Sequence, residues 1–267
     1  MRWNSQPSAL LAILALIPLC ILPMPLAQQA ASPPAAQAPP TPESPKTSPA
    51  PALLAPATAA APSPAAQPRF LVVIDAAHGG SEWGAAFSPK LLEKDVTLAI
   101  ARRLRRELEN RGISVLMLRD SDATLSFDQR AALANAARPA AFIEIHAGTL
   151  GAGLRVYTCM VAAGKPSPAK TPPLFLPWAR AQSAFLQASL RLASAVTTES
   201  ENNEIATATL AAPLRPLSSV AAPAIALEVA PSGNDVQELA SANYQQSIAT
   251  AVSAGIHSAR ARLEQLR

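Results

Sequence analysis

Aromatic side chains make up only 4% of this sequence. A core built around large rings is thereby excluded, and Ala, Leu, Ile and Val must fill it. Nucleic-acid readers usually pair a clustered basic face with aromatic or helical readout elements. Here the basic residues behind the net charge of +4 are scattered, so nucleic acid is not an expected partner. Cysteine is nearly absent: Cys20 lies in the apolar amino-terminal run and Cys159 in the body. Loss of a leader leaves one thiol and no intramolecular disulfide. Cys159, within the apolar stretch 156–161, reads as a small buried hydrophobe. With only three histidines, imidazole chemistry is confined to His78, His146 and His257, and His257 reads as a structural or solvated residue of a closing helix.

Proline is abundant instead, at 27 residues concentrated in the first quarter. Residues 1–27 read as an export signal: Arg2 gives the positive start, 9–22 the apolar segment, and Pro23 and Pro25 precede the small Ala27. Pro25 is an imperfect fit to a cleavage site, so an uncleaved membrane anchor is the alternative, opposed by its prolines and short core. A lipid-anchored Cys20 is opposed by Leu19, where a small residue is preferred. Each option places the body outside the cytoplasmic membrane, in the periplasm or cell envelope. Membrane contact is expected only through a retained leader. Residues 28–68 are almost entirely Ala, Pro, Ser, Thr and Gln, too poor in large apolar groups to order themselves, and are expected to form a disordered tether.

The texture changes at residue 69. A continuous apolar run at 70–75 ends in His78-Gly79-Gly80, which suits a buried strand and turn. Over 93–111, Val96, Ile100, Leu104 and Leu108 recur at helical spacing before a stop at Gly112. Further strands are expected at 113–118, 141–146, 154–161 and 225–229. Helices are expected from Ser126, whose spacing to Gln129 suits a capping box, and over 178–198 and 244–266. A proline-rich loop fills 165–177. The alternation predicts a single α/β domain over 69–267, with a mostly parallel central sheet covered by helices on both faces.

Sites in such sheets form at the carboxyl ends of strands. Four groups lie there: His78, Glu93, His146 and Glu228. Two imidazoles and a carboxylate can hold zinc with one position open, and a further carboxylate can serve as general base and acid. Each residue also has an ordinary explanation: an exposed turn for His78, a helix-start carboxylate for Glu93, a hydrogen-bonded core histidine for His146, and a buried ion pair for Glu228.

Taken in order, the segments resemble the zinc-dependent N-acetylmuramoyl-L-alanine amidase family (amidase type 3). The motifs are Val73-Ile74-Asp75-Ala76-Ala77-His78-Gly79-Gly80; Leu92-Glu93-Lys94-Asp95-Val96; Leu118-Arg119-Asp120; Leu125 to Arg130 with Ala134-Asn135; Phe142-Ile143-Glu144-Ile145-His146-Ala147; and Ala226-Leu227-Glu228-Val229. The resemblance implies Zn2+ held by His78, Glu93 and His146, with Glu228 as the catalytic carboxylate. It implies hydrolysis of the amide joining N-acetylmuramic acid to L-alanine in peptidoglycan, with a protein activator as a candidate partner. Departures occur at Ala77, where the family has glycine, and at Ala147-Gly148, where it has Ala-Asn. Glu144 replaces a small polar residue. It should share a strand face with His146 and is a candidate to orient that imidazole. Two alternatives stand beside this reading: a catalytically inactive, zinc-containing peptidoglycan-binding module, and a zinc exopeptidase acting on free peptides.

Overall fold

The computed structural model describes residues 70–161 and 178–265. The expected leader, tether and proline-rich loop lie outside them.

Six strands form the main sheet: β1 (Leu71–Ala76), β4 (Ser114–Met117), β5 (Ala141–Ala147), β6 (Gly153–Cys159), β7 (Thr207–Ala212) and β8 (Ala224–Ala230). Their spatial order is β4-β1-β5-β8-β6-β7. The first four run parallel, β6 runs antiparallel to β8, and β7 pairs parallel with β6. β2 (Ala86–Ser88) and β3 (Leu91–Leu92) form a separate small hairpin.

The sheet's two faces are covered unequally. Residues Val72, Ile74, Ile143, Ile145, Ile225 and Leu227 pack beneath three long helices, α1 (Glu93–Asn110), α3 (Leu186–Asn202) and α4 (Ala242–Glu264). Strand residues alternate faces, so Val73, Phe142, Ala224 and Ala226 point the other way. Among the described residues they meet α2 (Phe127–Ala137), a 3-10 turn at Leu217–Ser219 and the segment that follows it, Val220 and Ala222. Asp75, Glu144, His146, Arg155, Tyr157 and Glu228 share this lightly covered face by the same alternation. Polar chemistry is therefore concentrated where the sheet is least buried by helices.

Local signals explain the elements that hold this arrangement. Val96, Ile100, Leu104 and Leu108 are all buried along α1, and the chain turns at Gly112. Ser126 and Gln129 make the reciprocal bonds of a capping box at the start of α2. Cys159 is buried and unpaired, and His257 is exposed.

Two elements differ from expectation. The helix expected over 178–198 divides into a 3-10 segment, Trp178–Ala184, and α3. The buried amide of Gln182 donates to the carbonyls of Val220 and Ala222 at 2.6 and 2.7 Å, which ties this segment to the loop before β8. Strand β7 has no counterpart in the expected elements because its Thr-Ala-Thr-Leu-Ala-Ala sequence lies largely exposed on the sheet edge. Without a buried face it carries little of the period-two contrast that marks a strand.

Candidate metal centre

The carboxyl end of β1 is shaped by two buried arginines. Arg119 donates from Nε to the carbonyl of Ala76 at 2.8 Å and from Nη2 to that of Ala77 at 3.0 Å. Arg130 donates to the carbonyls of Ala76 at 3.0 Å and His78 at 2.7 Å, and pairs with the fully buried Asp75. Three successive carbonyls thus receive guanidinium donors. Burial pushes the Asp75 carboxyl up to about 6 despite the opposing Arg130 charge. The turn places His78 itself in the left-handed region, at φ 63°, so the Ala77 departure is accommodated one residue later.

Glu93 opens α1, where the helix dipole favours a carboxylate. Its Oε2 accepts from the Ala85 N–H at 2.9 Å, and its Oε1 accepts from the Ala147 N–H at 3.2 Å. Gly84 lies against it: a Cβ there would stand 2.6 Å from both Glu93 Oε2 and His78 Cδ2, at a φ of +68°. Glycine therefore permits the close approach of this loop to the two side chains.

Glu93 Oε1 is 3.1 Å from His78 Nε2 and 3.1 Å from His146 Nδ1. The rings meet edge to face, with centroids 5.4 Å apart. Each ring's far nitrogen meets another carboxylate: His78 Nδ1 stands 3.1 Å from Glu82 Oε1, and His146 Nε2 stands 3.1 Å from Glu144 Oε1. An ionised carboxylate only accepts, so Glu82 and Glu144 can each hold a proton on the far nitrogen. A cation that displaces the protons facing Glu93 would find lone pairs on the near nitrogens of the neutral rings. Ligand atoms of His78, Glu93 and His146 lie within 4.8 Å of one another. Two imidazole nitrogens and a carboxylate oxygen converging this closely could hold a cation in place of the protons between them, and an N,N,O set backed by carboxylates suits an open metal site.

Without metal, the neighbouring carboxylates favour the charged form of both imidazoles. The Glu93 hydrogen bond holds His78 above the ordinary imidazole range. Burial disfavours charge on His146, but Glu144 and Glu93 outweigh it and push the imidazole up to about 10. Burial likewise opposes charge on Glu93, yet His146, His78 and the Ala85 N–H hold it well below the usual carboxylate range.

Glu228 is the register partner of His146 across β8 and β5. It lines the same cavity of about 340 Å³ as His78, Glu93 and His146. Its carboxylate accepts from Tyr157 Oη at 2.9 Å and pairs with Arg155 Nη2 at 2.5 Å. Gly148 makes room for it: a Cβ at that position would lie 2.3 Å from Glu228 Oε1. A larger cavity of about 460 Å³, bordered by Arg138, Phe185 and Arg191, has no carboxylate or imidazole in its lining.

All four candidates from the sequence, with Glu144, are thus brought to one place. Glu82 was not among them, although a carboxylate four residues beyond His78 in the same turn was a readable signal. Arg155 and Tyr157 were missed because β6 looked like an ordinary buried strand, and only its antiparallel register sets Arg155 opposite Glu228.

The N-acetylmuramoyl-L-alanine amidase family model matches residues 72–258, well over half of the chain. The chain belongs to the N-acetylmuramoyl-L-alanine amidase family. One amidase relative, AmiC of Escherichia coli, is 41% identical over 78 residues, covering 29% of this chain and 19% of AmiC. That match spans about a fifth of the relative's length. Among solved amidase structures, AmiC2 of Nostoc punctiforme superposes with a TM-score of 0.56 at 28% identity, covering 71% of this chain and 96% of that one. CwlD of Clostridioides difficile, solved in complex with the GerS lipoprotein, reaches a TM-score of 0.56 at 20% identity, covering 72% and 99%. At that identity the likeness is one of fold.

Proposed function

We propose that this chain is a zinc-dependent amidase that hydrolyses the bond between N-acetylmuramic acid and L-alanine in peptidoglycan. The observation that carries the reading is the convergence of His78, Glu93 and His146, with Glu228 on the wall of the same cavity. Glu82 and Glu144 orient the two imidazoles.

When bound by these three residues, zinc supplies Lewis acidity toward the scissile carbonyl and toward water. Glu228 takes the proton of the attacking water and passes it to the nitrogen of the departing L-alanine. The Glu82 and Glu144 carboxylates hold the far-side ring protons, which keeps both imidazoles in the ligating tautomer. Residues 69–267 form the catalytic unit, preceded by an export leader at 1–27 and a tether at 28–68 that gives it reach across the envelope. A protein activator is a candidate partner, and the complex of CwlD with the GerS lipoprotein supports a protein partner of some kind.

The test is clearing of purified peptidoglycan by the full chain with zinc or with chelator, beside Glu228→Ala. Zinc-dependent clearing lost in the variant supports the amidase. One equivalent of zinc with wall binding but no clearing would favour the inactive binding module.

A further inference from the structure

Glu228 is engaged at both oxygens: Oε1 by Arg155 Nη2 at 2.5 Å and Oε2 by Tyr157 Oη at 2.9 Å. With Arg155 seated on it, Oε1 faces a donor rather than the water that the proposed base is to deprotonate. Arg155 is also incompletely satisfied. Its Nε is buried without a hydrogen-bond partner, and its side chain is 16% exposed. The other carboxylates of this face are already engaged, Asp75 by Arg130 and Glu144 by His146. Departure from Glu228 would therefore leave Arg155 needing an anion.

Resting on the amidase reading, we propose that Arg155 recognises a stem-peptide carboxylate, and that its transfer from Glu228 to that carboxylate frees the base. The residue that follows L-alanine in the stem carries such a group. From the scissile nitrogen, about 3.5 Å of extended chain reaches the nitrogen of that residue, and its carboxylate lies two bonds further, within range of a guanidinium that touches the base. One carboxylate replaces another, so the guanidinium is never left bare, a state that is strongly disfavoured. Gly148 admits the Glu228 carboxylate, since a Cβ there would stand 2.3 Å from Oε1. Arg155 is thus a specificity-determining residue whose occupancy couples substrate charge to the availability of the base.

The test uses the full chain and two soluble fragments, N-acetylmuramoyl-L-alanyl-γ-D-glutamate with a free α-carboxylate and its α-amide. Hydrolysis is followed with zinc, and equilibrium binding without metal, for wild type, Arg155→Gln and Arg155→Lys. Wild type should prefer the carboxylate by about tenfold or more in binding and in kcat/KM, with part of the difference in kcat. Arg155→Gln should bring the ratio close to one, and Arg155→Lys should keep part of it. Ratios within one variant are independent of its active fraction, and if Arg155→Gln does not fold, wild type and Arg155→Lys carry the test. A wild-type ratio near one, or an undiminished ratio in Arg155→Gln, overturns the assignment of Arg155. Selective binding with no hydrolysis of either fragment overturns the amidase reading and leaves the recognition site standing.

Discussion

His146 Nε2 and Glu144 Oε1 stand 3.1 Å apart on successive same-face positions of β5. Glu144 is almost wholly buried, and its other oxygen has no hydrogen-bond partner. The imidazole is therefore the group that repays the desolvation of this carboxylate, and the carboxylate in turn fixes the imidazole's tautomer. Partners of this kind contribute to metal affinity at one remove. Glu144→Gln should weaken zinc binding about tenfold and Glu144→Ala up to about a hundredfold, read by competition with a chromophoric chelator. Affinities within twofold of wild type would mean that Glu144 does not act through His146.

Metal binding should release protons. His146, held up to about 10, is protonated at neutral pH in the metal-free protein, and His78 is raised as well. Calorimetry at pH 7 in buffers of different ionisation enthalpy should show at least one proton released per metal, with apparent affinity rising toward pH 10. The same shift bears on stability without metal. A folded-state value raised above 6.5 contributes fully below that pH, and the contribution fades as pH rises through about 10. Thermal denaturation of the chelated protein should follow that direction, and buffer-independent binding heats would contradict the proton inventory.

Gly148 makes room for Glu228, the proposed base. Any side chain there begins 2.3 Å from the Glu228 carboxylate, so Gly148→Ala must displace the base. A misplacement of about 1 Å can lower turnover on the order of a hundredfold. The expected signature is a fall in kcat with metal affinity unchanged, measured by steady-state kinetics and zinc titration on the same preparation.

The buried Asp75–Arg130 pair supports the His78 turn from beneath. Arg130→Ala leaves a buried carboxylate without its partner and removes donors from the carbonyls of Ala76 and His78. A loss of about 3–5 kcal/mol is expected from denaturant unfolding, together with weaker zinc binding because His78 is less firmly placed.

Much of the fold was legible because the elements that make it are periodic. The buried runs of β1, β5 and β8 and the helical spacing in α1 needed no tertiary information. Edge strand β7 was not legible, since a strand exposed on most of its length has no hydrophobic contrast to read. His78, Glu93, His146 and Glu228 could be singled out because polar groups at the ends of apolar strands are conspicuous. Glu82 needed the turn geometry, and Arg155 needed the antiparallel register of β6 on β8. Arg119 and Arg130 stood out as motif residues, but their work, satisfying the carbonyls at 76–78, appears only when β1, β4 and α2 are assembled.

The most direct test of the central claim is mass spectrometry of the products formed from purified muropeptides by the zinc-loaded full chain and by Glu228→Ala. The amidase account predicts intact stem peptides with a free L-alanine amino terminus, and glycan ending in an unsubstituted lactyl carboxylate. It also predicts a fall of about 10²–10⁴-fold for Glu228→Ala with zinc still bound. Release of single amino acids with the glycan–peptide bond intact, or equal product from the variant, would contradict it.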